Sequence, residues 1–149
     1  MLKDIYNFLP LTDKLLSSGM PTQEQLTDIA DAGVQVVINL ALPTSEKALP
    51  NESALVESLN IKYIGIPVVW DHPTRENLKE FMDAMDAHRH QKVHVHCQAN
   101  YRATAFITLY RIKHLDWNRE EAFKDLRRIW NPDEYPIWKK FIEDNLSDP

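Results

Sequence analysis

The sequence contains one cysteine, Cys97, among its 149 residues, and this scarcity excludes an intramolecular disulfide. No apolar run approaches the length of a membrane-spanning helix, and the N-terminus lacks the basic start, apolar stretch and small-residue cleavage site of a secretory signal. Basic residues are outnumbered by acidic ones, since the formal net charge is −5, and the Lys and Arg residues form no stripe. We therefore expect a cytoplasmic protein that has neither a membrane nor a nucleic acid as partner.

The pattern of apolar residues predicts strands and helices in alternation. A short strand is predicted over residues 14–19, and Thr22 and Gln25 then have the spacing of a capping box at a helix start. Gly33 can end that helix, and the apolar run over residues 34–40 is typical of a strand buried in a parallel sheet. The expected fold class is therefore α/β, with three layers and a mainly parallel central sheet flanked by helices.

The rest of the chain continues this alternation. The first ten residues give little periodic signal, and the hydrophobic content of 44% is enough for a proper core. We expect a single domain over residues 1–149. Further strands are predicted at residues 62–69 and 93–95, and further helices at residues 52–59, after Thr74, over residues 105–112, after Asn118 and after Pro136.

One stretch, residues 93–104, carries the candidate chemistry. Its apolar alternation stops after Val95, and the segment that follows is apolar almost all round, as expected of a helix buried inside a domain. Cys97 therefore lies where a strand ends and a helix begins. Unpaired amide N–H groups and the positive end of the helix dipole favour an anion at this point, so a thiol there should lose its proton more easily.

Arg102 lies in the first turn of the same helix. Its planar guanidinium can bind two oxygens of a phosphate-like group and help to keep a thiolate charged. A lone cysteine beside an apolar strand is more often an inert core residue. Here, the preceding His96, the following Arg102 and the helix start favour a nucleophile within an anion-binding loop.

These residues resemble the signature loop of the cysteine-dependent protein tyrosine and dual-specificity phosphatases. The resemblance rests on His96-Cys97 after a Val-His-Val strand, followed by Arg102 and Thr104. That family has five residues between the cysteine and the arginine and a Ser or Thr directly after the arginine, whereas this chain has four residues there and Ala103 follows Arg102. The resemblance implies a dual-specificity-phosphatase-like domain that hydrolyses phosphate monoesters through a phosphocysteine.

Two alternatives to this function remain open. The four-residue spacing and the run Cys97-Gln98-Ala99 also resemble the loop of single-domain rhodaneses, sulfurtransferases that carry a persulfide sulfur on the cysteine. Residues 15–22 and 38–40 resemble a small group of bacterial phosphatase-like proteins that has been labelled both phosphatase and sulfurtransferase. The other alternative is a non-catalytic module whose shortened loop binds phosphate without reaching the transition state.

Asp71 is the candidate general acid. It follows the strand predicted at residues 62–69, and the order of elements resembles the dual-specificity phosphatases, in which an aspartate on that loop protonates the leaving group. Expelling an alkoxide or phenoxide requires such a proton, whereas a rhodanese needs no equivalent. An aspartate close before Pro73 is also common as a simple turn or cap residue.

The resemblance implies a role for each residue of the site. Cys97 attacks phosphorus, Asp71 protonates the leaving group, and Thr104 stabilises the thiolate. Backbone amides and the Arg102 side chain hold the phosphoryl oxygens, and water then hydrolyses the phosphocysteine. The expected substrate is a phosphorylated protein or a small aryl phosphate. The phosphate-binding amides are those of Gln98, Ala99, Asn100, Tyr101 and Arg102.

Neither a metal nor another cofactor is expected. His94 and His96 lie two apart on a strand and so point to the same face. No carboxylate or cysteine cluster completes a coordination set, and Cys97 should face away from both histidines. We expect His96 instead to orient the loop by hydrogen bonding to its backbone.

Overall fold

A five-stranded sheet forms the centre of residues 1–147, which are the residues that this computed structural model describes. The strands are β1 (Leu9–Thr12), β2 (Leu15–Ser18), β3 (Val36–Asn39), β4 (Lys62–Gly65) and β5 (Val93–His96). They lie side by side in the order β1-β2-β5-β3-β4. β1 is antiparallel to β2, and the other neighbouring pairs are parallel.

Helices connect and follow the strands. Thr22 and Thr74 each form the reciprocal pair of hydrogen bonds of a capping box, which confirms the predicted helix starts. None of the helices within residues 1–147 has both the length and the apolar character needed to cross a membrane. The helices are α1 (Gln23–Asp31), α2 (Glu52–Ser58), α3 (Arg75–Ala87), α4 (Tyr101–His114), α5 (Arg119–Arg127) and α6 (Pro136–Leu146), with short 3-10 turns at Leu2–Asp4 and Pro132–Glu134.

The helices cover both faces of the sheet. On one face, Leu26 of α1 and Val56 of α2 pack with Val37 of β3. On the other face, α3, α4 and α6 pack together, and residues 102–111 of α4 are all buried. This burial explains why α4 is apolar almost all round. The predicted three-layer α/β fold with a mainly parallel sheet is confirmed.

One strand was not predicted, and another is clearly shorter than predicted. The first strand, Leu9–Thr12, was not predicted, because it is only four residues long and Pro10 interrupts its pattern. The strand predicted at residues 62–69 ends at Gly65, because Pro67 has no N–H to donate to a ladder. The amides on either side of Pro67 still donate to carbonyl oxygens at the end of β3, at 2.9 and 3.0 Å.

The parallel strands end together at one edge of the sheet. Ser18, Asn39 and His96 are the last residues of β2, β3 and β5, and they are paired in register. The loops that follow these strands therefore meet at this edge. Ligand sites of open parallel sheets form at this carboxyl edge.

Candidate active site

Cys97 directly follows β5 at the edge where the parallel strands end. Its side chain is fully buried in the same apolar cluster as Val93 and Val95, so it faces the α3 and α4 side of the sheet. Cys97 is also one of the residues around a cavity of about 340 Å³. The residues that line this cavity are Trp70, Cys97, Gln98, Ala99, Tyr101, Arg102 and Tyr135.

The loop after Cys97 is held by a pair of asparagines. Asn100 adopts a left-handed conformation (φ 70°) at the start of α4, and its side-chain amide donates to the Asn7 carbonyl at 2.9 Å and to Ser17 Oγ at 3.0 Å. Asn7 in turn donates from Nδ2 to the Ala99 carbonyl at 3.0 Å. The Gln98 carbonyl also accepts a bond from an adjacent segment, from an amide just after β2 at 2.9 Å. These contacts fix the loop from its outer side.

The loop amides are free to bind an anion. Within residues 1–147, we find no hydrogen-bond acceptor for the amide N–H groups of residues 98–103, while the carbonyls of Gln98 and Ala99 are bonded to neighbouring segments. The last of these amides belong to the first turn of α4, where the positive end of the helix dipole adds to their effect. The arrangement is that of an anion-binding loop at a helix N-terminus.

Arg102 joins this loop to the segment that precedes α3. Arg102 is only 5% exposed, and its Nη1 donates to the Val68 carbonyl at 2.7 Å. One donor of the guanidinium is thus used to hold the chain, and the side chain also lines the cavity beside Cys97. The structure therefore brings Cys97, Arg102 and the loop amides together, which are three of the predicted components of the site.

Asp71 is not among the residues that line the cavity. It is exposed on the turn after Trp70, and Trp70 itself forms part of the cavity wall. The turn is held against the site, because the Trp70 carbonyl accepts a hydrogen bond from Trp138 Nε1 at 2.7 Å. The carboxyl group of Asp71 is therefore one residue away from the wall but outside the cavity in this arrangement.

The Thr104 hydroxyl is engaged with the loop backbone. It donates to the Asn100 carbonyl at 2.7 Å and accepts a hydrogen bond from Trp130 Nε1 at 3.0 Å. A hydroxyl has a single proton, so in this arrangement the proton of Thr104 is given to the carbonyl rather than to the thiol. The stabilisation of a thiolate by Thr104 stays a prediction.

The two strand histidines lie on the opposite side of the sheet from the cavity. Their ring centroids are 6.5 Å apart, and both side chains are fully buried. His96 contacts the Cys97 carbonyl through Nδ1 at 3.3 Å, and His94 contacts Ser18 Oγ through Nε2 at 2.8 Å. Burial, with a smaller effect from the neighbouring His96, lowers the pKa of His94 from 6.5 to about 3. His94 is therefore neutral near pH 7.

Two aromatic walls of the cavity were missed by the sequence analysis. Trp70 and Tyr135 lie with their ring centroids 5.4 Å apart, edge to face, although 65 residues separate them along the chain. Tyr101, the third aromatic residue of the wall, is stacked on Trp130 at 4.8 Å, and burial raises its pKa above the ordinary value of 10. Tyr135 directly precedes Pro136, the first residue of α6. Proline is common at the first position of a helix, so Pro136 was the sequence feature that could have predicted a fixed position for Tyr135.

Comparisons with known proteins identify the family of the chain. A protein-family model described as "DSP-PTPase phosphatase fused to NAD+ Kinase" matches residues 11–139. The chain belongs to this DSP-PTPase phosphatase family. The family resemblance inferred from residues 93–104 is thereby confirmed. No curated protein sequence matches the chain significantly.

Solved structures of other phosphatases share the DSP-PTPase fold. A candidate phosphatase (DUF442) from Shewanella putrefaciens CN-32 is 38% identical, with a TM-score of 0.87 over 97% of this chain and 93% of that one. TpbA from P. aeruginosa is 16% identical, with a TM-score of 0.75 over 93% of this chain and 84% of that one. PTPMT1 is 20% identical, with a TM-score of 0.72 over 94% of this chain and 96% of that one. The likeness to the last two proteins shows the fold alone.

Proposed function

We propose that the protein hydrolyses phosphate monoesters through a phosphocysteine at Cys97, with phosphotyrosine or a similar aryl phosphate as substrate. The observation that carries this proposal is the meeting of Cys97, Arg102 and unpartnered amide N–H groups at one cavity. A nucleophile next to donors for three phosphoryl oxygens is the arrangement that phosphoryl transfer requires. Membership of a phosphatase family supports the same chemistry.

The proposed reaction has two steps. In the first, Cys97 Sγ forms a bond to phosphorus while the bond from phosphorus to the ester oxygen breaks, and the leaving oxygen takes a proton from Asp71. The loop amides of residues 98–102 and the Arg102 guanidinium hold the three remaining oxygens. In the second step, water attacks phosphorus, a proton returns to Asp71, and phosphate leaves with regeneration of the thiolate.

The position of Asp71 adds a requirement to the first step. Because Asp71 is exposed beside the cavity wall, its carboxyl group must move toward the leaving oxygen when substrate binds. Apo structures often hold catalytic groups beyond hydrogen-bond reach, and short turns move readily. Hydrogen bonds to the Val68 and Trp70 carbonyls anchor this segment, and the Asp71 side chain takes part in neither of them.

Aromatic walls favour an aryl phosphate. Trp70, Tyr101 and Tyr135 line the same cavity as Cys97 and Arg102, so a planar ring attached to the phosphoryl oxygen would lie against aromatic side chains. TpbA, which has the same fold, is described in complex with phosphotyrosine. We therefore propose a phosphorylated protein or a small aryl phosphate as the substrate. We also propose one domain over residues 1–149, a range that extends two residues beyond those described.

Two assays on the purified protein test the proposed function. Hydrolysis of an aryl phosphate with no transfer of sulfur from thiosulfate to cyanide is the expected result. The four-residue spacing between Cys97 and Arg102 is the feature that favours a sulfurtransferase, so activity with thiosulfate alone would overturn the proposal in favour of that function. Inactivity in both assays, with phosphate still bound, would overturn it in favour of a binding module.

A further inference from the structure

His96 lies between two hydrogen-bond acceptors behind the candidate nucleophile. Its Nε2 is 2.7 Å from Glu52 Oε2, and its Nδ1 is 3.3 Å from the Cys97 carbonyl oxygen. The side chains of His96 and Glu52 are 0% and 4% exposed, so water does not compete for these contacts. Glu52 is the first residue of α2 and lies 44 residues before His96 in the chain.

The two acceptors determine which protons the ring must carry. A carbonyl oxygen has no proton to donate, so the contact with Cys97 is a hydrogen bond only if Nδ1 bears a proton. An ionised carboxylate likewise accepts only, so the contact with Glu52 requires a proton on Nε2. Neutral imidazole has one N–H, and therefore, beside an ionised Glu52, only the imidazolium form of His96 donates to both partners.

The groups around Glu52 decide whether its carboxyl group can balance a positive charge on His96. Glu52 Oε1 faces Asn39 Nδ2 at 3.5 Å, and Asn39 is held in place by its bonds to Tyr63 and to the Ala41 amide at 3.1 and 2.8 Å. Among the titratable groups around the pair, His94 is neutral near pH 7, and burial raises the pKa of Tyr63. Glu52 is thus the carboxyl group that faces His96 on this side of the sheet.

We propose that Glu52 is a positioning residue for the nucleophile: it keeps His96 protonated, and His96 then holds the Cys97 carbonyl and places a positive charge against the backbone of the residue that bears the thiol. Glu52 itself does not touch the cavity that Cys97 lines. A nearby positive charge favours the thiolate, and Arg102 acts on the thiol from the cavity side. The catalytic consequence rests on the proposed function, whereas the protonation of His96 does not.

The histidine protons can be observed directly. In wild-type protein labelled with ¹⁵N at histidine, the His96 signals near pH 7 should be those of an imidazolium with both nitrogens protonated. The Glu52→Gln variant keeps the size and one acceptor but removes the charge, so its His96 should carry one N–H. A wild-type His96 with one protonated nitrogen near pH 7 would overturn the proposal, and this measurement does not depend on whether any variant folds.

Alkylation of Cys97 by iodoacetamide reports the effect on the thiol. We expect Glu52→Gln to be alkylated about tenfold more slowly than wild type at pH 6, with the difference disappearing at high pH where both thiols are ionised. Glu52→Asp keeps the charge and should recover most of the rate. Glu57→Gln makes the same change at an exposed position of the same helix and should behave as wild type.

Kinetics separate this proposal from the proposed function. With an aryl phosphate, Glu52→Gln should lower kcat/KM by about tenfold at pH 6 and less at high pH, because it acts through the ionisation of Cys97. A folded Glu52→Gln variant with wild-type alkylation and wild-type kcat/KM would overturn the proposal. If wild type hydrolyses no phosphate ester, the proposed function fails, while the histidine signals and the alkylation rates still decide the role of Glu52.

Discussion

Gly19 directly follows β2 and lies against the candidate phosphate-binding loop, and Gly19→Ala should displace that loop. A methyl carbon at this position would be 2.6 Å from the Gln98 carbonyl oxygen and 2.8 Å from a ring carbon of Tyr6. The first of these neighbours is backbone, which cannot rotate away as the end of a flexible side chain can. The Gln98 carbonyl must therefore move away from β2.

The size of the displacement follows from the contact distances. Contacts of a methyl carbon are tight between 3.0 and 3.4 Å and ordinary beyond, so the loop must move by about 0.4–0.8 Å. The movement strains the bond from the Met20 amide to the Gln98 carbonyl, now 2.9 Å. Misplacement of about 1 Å in a catalytic site can cost about 10²-fold, and we expect kcat/KM for an aryl phosphate to fall by about 10- to 100-fold.

Gly33→Ala is the matched control for this prediction. Gly33 has a φ of +85°, which residues other than glycine rarely adopt, but nothing lies within 4 Å of an added methyl group. The variant should lose stability by about 1–2 kcal/mol and keep its activity, since Gly33 follows α1 away from the loop. Steady-state kinetics and thermal unfolding of both variants test the reasoning. A Gly19→Ala protein as active as Gly33→Ala would refute it.

Three further predictions concern the proposed site, and one concerns stability. Arg102→Lys should lower kcat/KM for an aryl phosphate by about 10²-fold or more in steady-state assays, because a point charge cannot replace two fixed donors. Asp71→Asn should slow hydrolysis of an ester with a poor leaving group by about 10²-fold or more, and of an activated aryl ester much less, when the two are compared. Cys97→Ser should abolish turnover yet still bind inorganic phosphate in calorimetry, because the loop amides and Arg102 remain. Because the pKa of His94 falls from 6.5 to about 3 on folding, only the unfolded chain takes up this proton between those values. Denaturant titrations measure this effect as the difference in the free energy of unfolding between wild type and His94→Gln. The stability contributed by neutral His94 should be complete above pH 6.5 and should fall by about 1.4 kcal/mol per pH unit below that value.

Each of these expectations has a contradicting result. Wild-type rates in Arg102→Lys would mean that Arg102 does not hold the phosphoryl group. Equal losses on the two esters would remove the proton-donor role of Asp71, and full turnover in Cys97→Ser would exclude a cysteine nucleophile. Parallel pH profiles of unfolding for wild type and His94→Gln would show that the folded protein takes up the His94 proton.

Local patterns were sufficient to predict most of the fold. The Thr22 capping box, the apolar run before Asn39 and the change of period after Val95 each depend on residues close together in the chain. The resulting order of strands and helices determines a mainly parallel sheet with few alternatives. The first strand could not be predicted in this way, because its partner Ser17 and its place at the sheet edge are set by tertiary packing.

The centre of the candidate site could also be predicted, because Cys97 and Arg102 lie within one strand-to-helix junction. The surrounding residues could not, since they reach the site from distant parts of the chain. Asn7 bonds to the Ala99 carbonyl across 92 residues, and Glu52 bonds to His96 across 44. The residues that flank Asn7 and Glu52 in the sequence do not distinguish them from an ordinary surface asparagine and an ordinary first-turn glutamate.

The central claim is that Cys97 carries the phosphoryl group during turnover. Mixing the protein with an aryl phosphate, quenching in acid within the first turnovers and measuring the intact and peptide masses tests this claim most directly. Wild type should gain the mass of one phosphoryl group on the peptide that contains Cys97, and Cys97→Ser should gain none. Hydrolysis without any adduct on Cys97, or a sulfur adduct that cyanide removes, would contradict the claim.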